Sequence, residues 1–93
     1  MKPTIAKRID LYADYLVKAK LELSAMKRFE YEMSEEGRDL EEESFEYNGY
    51  IRRYNTYVEH LQRHWRELRD LGLADNPYEP PLETLTPITD MAA

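Results

Sequence analysis

The sequence contains no cysteine, only three glycines among 93 residues, and no apolar run free of charge that approaches a membrane span. Each shortage removes a class of protein. Without cysteine there is neither a disulfide scaffold nor a thiolate-ligated zinc site to stiffen so short a chain. With so little glycine, neither a phosphate-cradling loop nor a dinucleotide fingerprint is present, and no nucleophile elbow occurs. A bilayer-spanning helix needs about 20 consecutive apolar residues. The start of the chain carries Lys7, Arg8 and Asp10 where a signal peptide would need an apolar stretch. No secretory leader is therefore expected, and a cytoplasmic location is.

What remains is a single small domain. A chain of this size buries only about 60–65% of the surface its unfolded form exposes, so its own core is thin. Self-association is the remaining source of stability, and a homo-oligomer is the expectation. The net charge of −6 is spread unevenly. Residues 34–49 hold seven acids against Arg38 alone, while residues 1–33 and 50–73 carry a slight excess of Lys and Arg. Two mildly basic segments thus flank an acidic connection. The segment from residue 74 onward holds acids and no base.

The periodicity predicts an all-α fold. Ile5, Ile9, Tyr12, Leu16, Ala19, Leu23, Met26 and Met33 fall at steps of four and three, with Glu30 interrupting. Tyr47, Ile51, Tyr54, Val58, Leu61, Trp65 and Leu68 repeat the pattern. Two coiled-coil-like heptad seams of one period imply two helices packed on each other. Thr4 is the expected N-cap of the first, over about 5–35, and Gly37 its stop. Asp39 with Glu42 resembles a capping box, yet Asn48-Gly49 is a turn signal. The reading is an acidic connection over about 36–48 and a second helix over about 49–71, capped by Gly72. A connection this short requires an antiparallel hairpin. Pro77, Pro80, Pro81 and Pro87 exclude regular helix beyond it, and an extended, acidic, Pro-rich tail is expected over 74–93.

Candidate sites follow from residue type and spacing. Tyr50, Tyr57, His64 and Leu71 form a stripe at steps of seven beside the second seam, a face broader than one partner helix covers. These four are the expected oligomer interface, because aromatic side chains with a polar tip suit such surfaces. Arg52, Arg53, Arg63 and Arg66 on the second helix, with Lys18 and Lys20 on the first, are the candidates for contact with DNA phosphates. Acids alternate with them, so repetition around a symmetric ring would be needed to make a strong basic strip. Glu41, Glu42, Glu43 and Glu46 form an acidic loop suited to a basic partner surface. His60, His64 and Glu67 have a spacing that one metal ion would accept, but with Leu at 61 in place of a catalytic glutamate they read as surface histidines beside Trp65. No metal, cofactor or small-molecule substrate is expected, and no catalysis.

One ordered set of features resembles a known family. A first helix containing Tyr12-Ala13-Asp14-Tyr15 is followed by Gly37, an acidic connection, Gly49, and a helix closing on Leu71-Gly72-Leu73 with Pro77 after it. Over about residues 8–77 this order resembles the helical core of small terminase subunits, the DNA-packaging initiators of tailed phages. The resemblance implies a ring-forming, non-catalytic oligomer in the host cytoplasm that recognises double-stranded phage DNA and engages the large terminase subunit. That family often continues with a small residue, proline and a basic residue, where this chain has Ala74-Asp75-Asn76-Pro77. The other expectation is a helical-hairpin adaptor or inhibitor that binds a basic protein surface through the acidic loop.

Overall fold

A computed structural model describes residues 4–71 and 82–88. It contains two helices, α1 (Ile5–Glu35) and α2 (Ser44–Asp70), and no strand among the described residues. The helices run antiparallel: Arg8 meets Glu67 near one end, Glu22 meets Arg53 midway, and Glu30 meets Tyr47 near the other. The fold is an all-α helical hairpin.

Local chemistry sets the ends of α1. The Thr4 hydroxyl accepts from the Lys7 backbone N–H at 3.1 Å, satisfying one donor that the first turn leaves without a partner. At the other end Gly37 has φ +67°, a left-handed conformation that lacks steric cost only for glycine. That turn lets the N–H of Gly37 reach the Ser34 carbonyl (3.1 Å) and the N–H of Arg38 reach the Met33 carbonyl (2.8 Å). The two bonds together make a Schellman stop.

The expected start of α2 is corrected. The helix begins at Ser44, not near residue 49, and Asn48-Gly49 lies inside it. The connection is accordingly residues 36–43. Asp39 does not form the expected capping box with Glu42: its carboxylate accepts from the Glu41 N–H at 3.2 Å, and hydrogen bonding to Glu41, through its side chain first and its backbone second, holds the Asp39 pKa below the usual value. Asparagine breaks helices chiefly by bonding its own neighbouring backbone. Asn48 is not free to do so, because its amide pairs with the main chain of Ile88.

The core lies between the helices and has two parts. Tyr12, Ala19, Tyr54, Val58 and Leu61 form one, and Met26, Phe29, Met33, Tyr47 and Ile51 the other. From α1, Ile9, Leu16 and Leu23 are half-buried and Ile5 is exposed, so burial is deepest on α2. The third layer is residues 82–88, here called the strap. Leu82 and Leu85 pack on the first cluster, Leu85 and Ile88 on the second. The Leu71-Gly72-Leu73 ending beyond Leu71, Pro77, Pro80, Pro81 and tail residues 74–81 and 89–93 lie outside the described residues.

A Cβ built at Gly49 would stand 3.4 Å from Arg53 Nη1 and 3.8 Å from Arg52 Nη2, ordinary contact with flexible side chains. Glycine inside a helix costs about 0.5–1 kcal/mol relative to alanine. Gly49→Ala should therefore stabilise the fold by about that amount, read as a higher urea midpoint with unchanged slope. A destabilised variant would mean that the helix does not run through Gly49.

Candidate functional site

Two flanks of α2, one on each side of its buried seam, carry the side chains singled out by spacing. On the first flank, Tyr50, Tyr57 and His64 face α1. Tyr57 sits with its ring centroid 6.2 Å from that of Tyr15, and Tyr50 sits 5.6 Å from Phe29. His64 is buried, so its place in an outward interface is corrected. Its ring is stacked near Tyr15, as is that of His60, at centroid distances of 5.9 and 4.6 Å. Leu71 is 52% exposed, in a shallow depression with Arg8, Glu67 and Asp70. Of the four residues, Tyr50 and Leu71 reach surface depressions, and Tyr57 and His64 belong mainly to the packing of the hairpin.

Arg8, buried near the His64 ring, was not legible as a core residue. Its guanidinium pairs with the partly exposed carboxylate of Glu67, which gives the buried cation its counter-charge. Glu67 Oε2 is 3.6 Å from His64 Nδ1, which has no hydrogen-bond partner among the described residues. His60 Nδ1 meets Arg63 Nη2 at 2.7 Å. Arginines thus occupy two members of the His60, His64 and Glu67 set, and no metal-binding group of three occurs among the described residues. Burial pushes the pKa of His64 down, aided by the positive charges of Arg63 and Arg8 and by the neighbouring His60.

The second flank carries Asn48, Asn55 and Gln62, seven residues apart, and spacing searches for apolar residues pass over it. Asn55 donates to the Leu85 carbonyl and accepts from the Leu85 N–H, both at 2.8 Å. Asn48 treats Ile88 in the same way, at 2.8 and 2.9 Å. Gln62 donates to the Leu82 carbonyl at 3.2 Å. Each asparagine offers one backbone residue the donor and acceptor that a neighbouring β-strand would supply. Seven helical residues rise about 10.5 Å, and three chain residues cover that only when fully extended. The match keeps rail and strap in register, and Leu82, Leu85 and Ile88, at steps of three, are its half-buried residues.

The six basic candidates do not share a surface. Lys18 and Lys20 are two residues apart, roughly 200° around α1, and Lys18 pairs with Asp14 at 3.0 Å. Arg53 bonds Glu22 at 3.2 Å and lies over the Tyr50 ring, while Arg52 lies over Phe45. Arg63 turns to His60, and Arg66 is exposed. In the connection, Arg38 clasps Glu36 and Glu43; Glu41, Glu42 and Glu46 are exposed.

Two shallow grooves meet at Tyr50. Leu21, Ser24, Ala25, Arg28, Phe29 and Glu32 line one; Phe45, Glu46, Gly49, Arg52 and Arg53 line the other. Leu21 is 64% exposed and Phe45 84%, with Val17 at 57% one turn before Leu21. The apolar surface that water reaches thus includes a patch from α1 to the start of α2. The fold and site define a helical hairpin clasped by its own extended segment. Comparison with known proteins finds no matching family model, curated protein or solved structure.

Two outcomes test this geometry. The Leu85 amide should be protected from hydrogen exchange, and Asn55→Leu should speed its exchange about thirtyfold, the equivalent of two lost hydrogen bonds at about 1 kcal/mol each, while leaving Val58 unchanged. Solvent-rate exchange of Leu85 in the parent chain would refute the rail. The second concerns pH. A folded-state His64 pKa below the ordinary 6.5 means that the unfolded chain binds the proton more readily. Stability should therefore fall as pH drops through and below 6.5. Urea unfolding at pH 7.5 and 5.5 should show a larger loss in the parent chain than in His64→Gln; equal losses would remove His64 as the cause.

Proposed function

We propose that the chain is a non-catalytic assembly subunit that self-associates through the Leu21, Tyr50 and Phe45 patch. The observation that carries this reading is Phe45, a phenylalanine 84% exposed beside a groove that also holds Tyr50. Clustered apolar surface of this kind on a small chain marks an interaction site. Aromatic anchors rimmed by arginine match the composition of protein interfaces, and here Arg28, Arg52 and Arg53 form the rim. In its most specific form, the reading is the packaging-initiator role that the order of features resembles. In that role an oligomer gathers the basic side chains of neighbouring copies around double-stranded DNA and engages a large terminase subunit. The arginine rim supports it, since side chains divided among faces in one copy become neighbours when copies repeat around an axis.

Size-exclusion chromatography with light scattering tests the assembly. The parent chain should elute as an oligomer at micromolar concentration, and Leu21→Ser combined with Phe45→Ser as a helical monomer. A monomeric parent chain overturns the proposal. The DNA arm is separate: the oligomer should retain double-stranded DNA at low salt and release it as salt rises. If it retains none, the packaging role falls and the assembly role stands.

A further inference from the structure

We propose that Phe45 of a second copy fills the groove at Ser24 and Ala25, with a two-fold axis seating each copy's ring in the other. The proposal rests on self-association through the Leu21, Tyr50 and Phe45 patch, and adds to it the occupant, the direction and the copy number.

Ring and groove suit each other in shape. Phe45, at the second position of α2, is 84% exposed, with the Arg52 guanidinium 5.9 Å from its ring centroid. The groove on the α1 side of Tyr50 holds two small side chains, Ser24 and Ala25, between Leu21 and the Phe29 ring. Small residues there leave the depth that an aromatic ring takes, and such a ring buries about 150–250 Å². Phe29 and Tyr50 already meet at 5.6 Å, so the entering ring joins an aromatic pair.

The positions of ring and groove fix the symmetry. Glu22 faces Arg53 and Glu30 faces Tyr47 across the hairpin, which puts the groove, Leu21 to Glu32 on α1, at the level of Tyr50. Phe45 lies five residues nearer the connection, about 7.5 Å along α2. A two-fold axis crossing the hairpin midway between those levels carries each Phe45 into the other copy's groove. One operation fills both grooves, and the contact closes at two copies.

Charge supports the same direction. Under this axis α2 of one copy runs parallel to α1 of the other, with Phe45 opposite the middle of the stretch from Leu21 to Glu32. Beyond Phe45, Glu46 then comes level with the second copy's Arg28, and Arg52 with its Glu32, each to within about one residue. Both pairs are of opposite sign, and all four side chains line the two grooves. Docked in the opposite sense, Arg52 would be carried toward Lys20, where like charges repel.

Light scattering with a charge exchange tests the docking. The parent chain should reach twice the mass of one chain and no more. Glu46→Arg and Arg28→Glu should each weaken the dimer about tenfold, because each places like charges at both copies of the contact. An equimolar mixture of the two should return to within about threefold of the parent, since a mixed dimer restores both contacts. No contact within one chain can be restored by mixing. Ser24→Trp, which fills the groove and keeps Phe45, should be a monomer that is helical by circular dichroism. A mixture no tighter than its components overturns the docking, as does a Ser24→Trp chain that still dimerises or a parent assembly of three or more copies. Self-association through the patch survives each of those outcomes. A monomeric parent chain removes both.

Discussion

Two helices laid side by side cannot by themselves remove a residue from water on every side, yet Val58 and Leu61 have no exposed surface. Everything else in the architecture answers to that constraint. α1 covers one flank of the α2 seam with Tyr15 and Phe29, and the strap covers the other. An extended segment covers the same length of groove with fewer than half the residues of a helix, since each advances about 3.3 Å rather than 1.5 Å. The difficulty with extended chain is its unpaired backbone, and the amides of Asn48, Asn55 and Gln62 resolve it.

The polar groups of the hairpin are likewise arranged around what has been buried. Near the open end, Arg8 enters the packing and Glu67 neutralises it, and the nearby His64 ring is held toward its neutral form. Near the connection, Tyr47 bonds Glu30 across the helices, and burial together with that carboxylate raises the phenol pKa to about 12. The phenol therefore stays a donor at physiological pH.

Much of the fold was legible because it follows from period and punctuation. Tyr12, Ala19 and Met26 on α1, and Ile51, Tyr54, Val58, Leu61 and Leu68 on α2, are buried where a repeat of four and three places them. Thr4 and Gly37 act through rules confined to a few neighbouring residues. The misreadings share a cause, which is partnership between distant positions. Asn48-Gly49 looks like a turn until residue 88 takes the amide. His64 looks outward because a stripe at steps of seven says that a flank is special and does not say which neighbour lies against it. The rail escaped notice because its members are polar, and polar residues on a helix ordinarily face solvent. The basic residues share a sign without sharing a direction, and direction depends on contacts such as those of Arg53 with Glu22 and Arg63 with His60.

The register between strap and helix also bears on how such a sequence can drift. Where two strands pair, a one-residue slip finds the next bonding position. Here the helix repeats its amides every seven residues while the strap presents matching atoms every three, so the two ladders coincide only at Leu82, Leu85 and Ile88. Single substitutions at Glu83, Thr84, Thr86 or Pro87 disturb exposed positions alone. One inserted or deleted residue between Leu82 and Ile88 would put every subsequent bond out of step. In related chains, the length of this segment should be held more strictly than its composition.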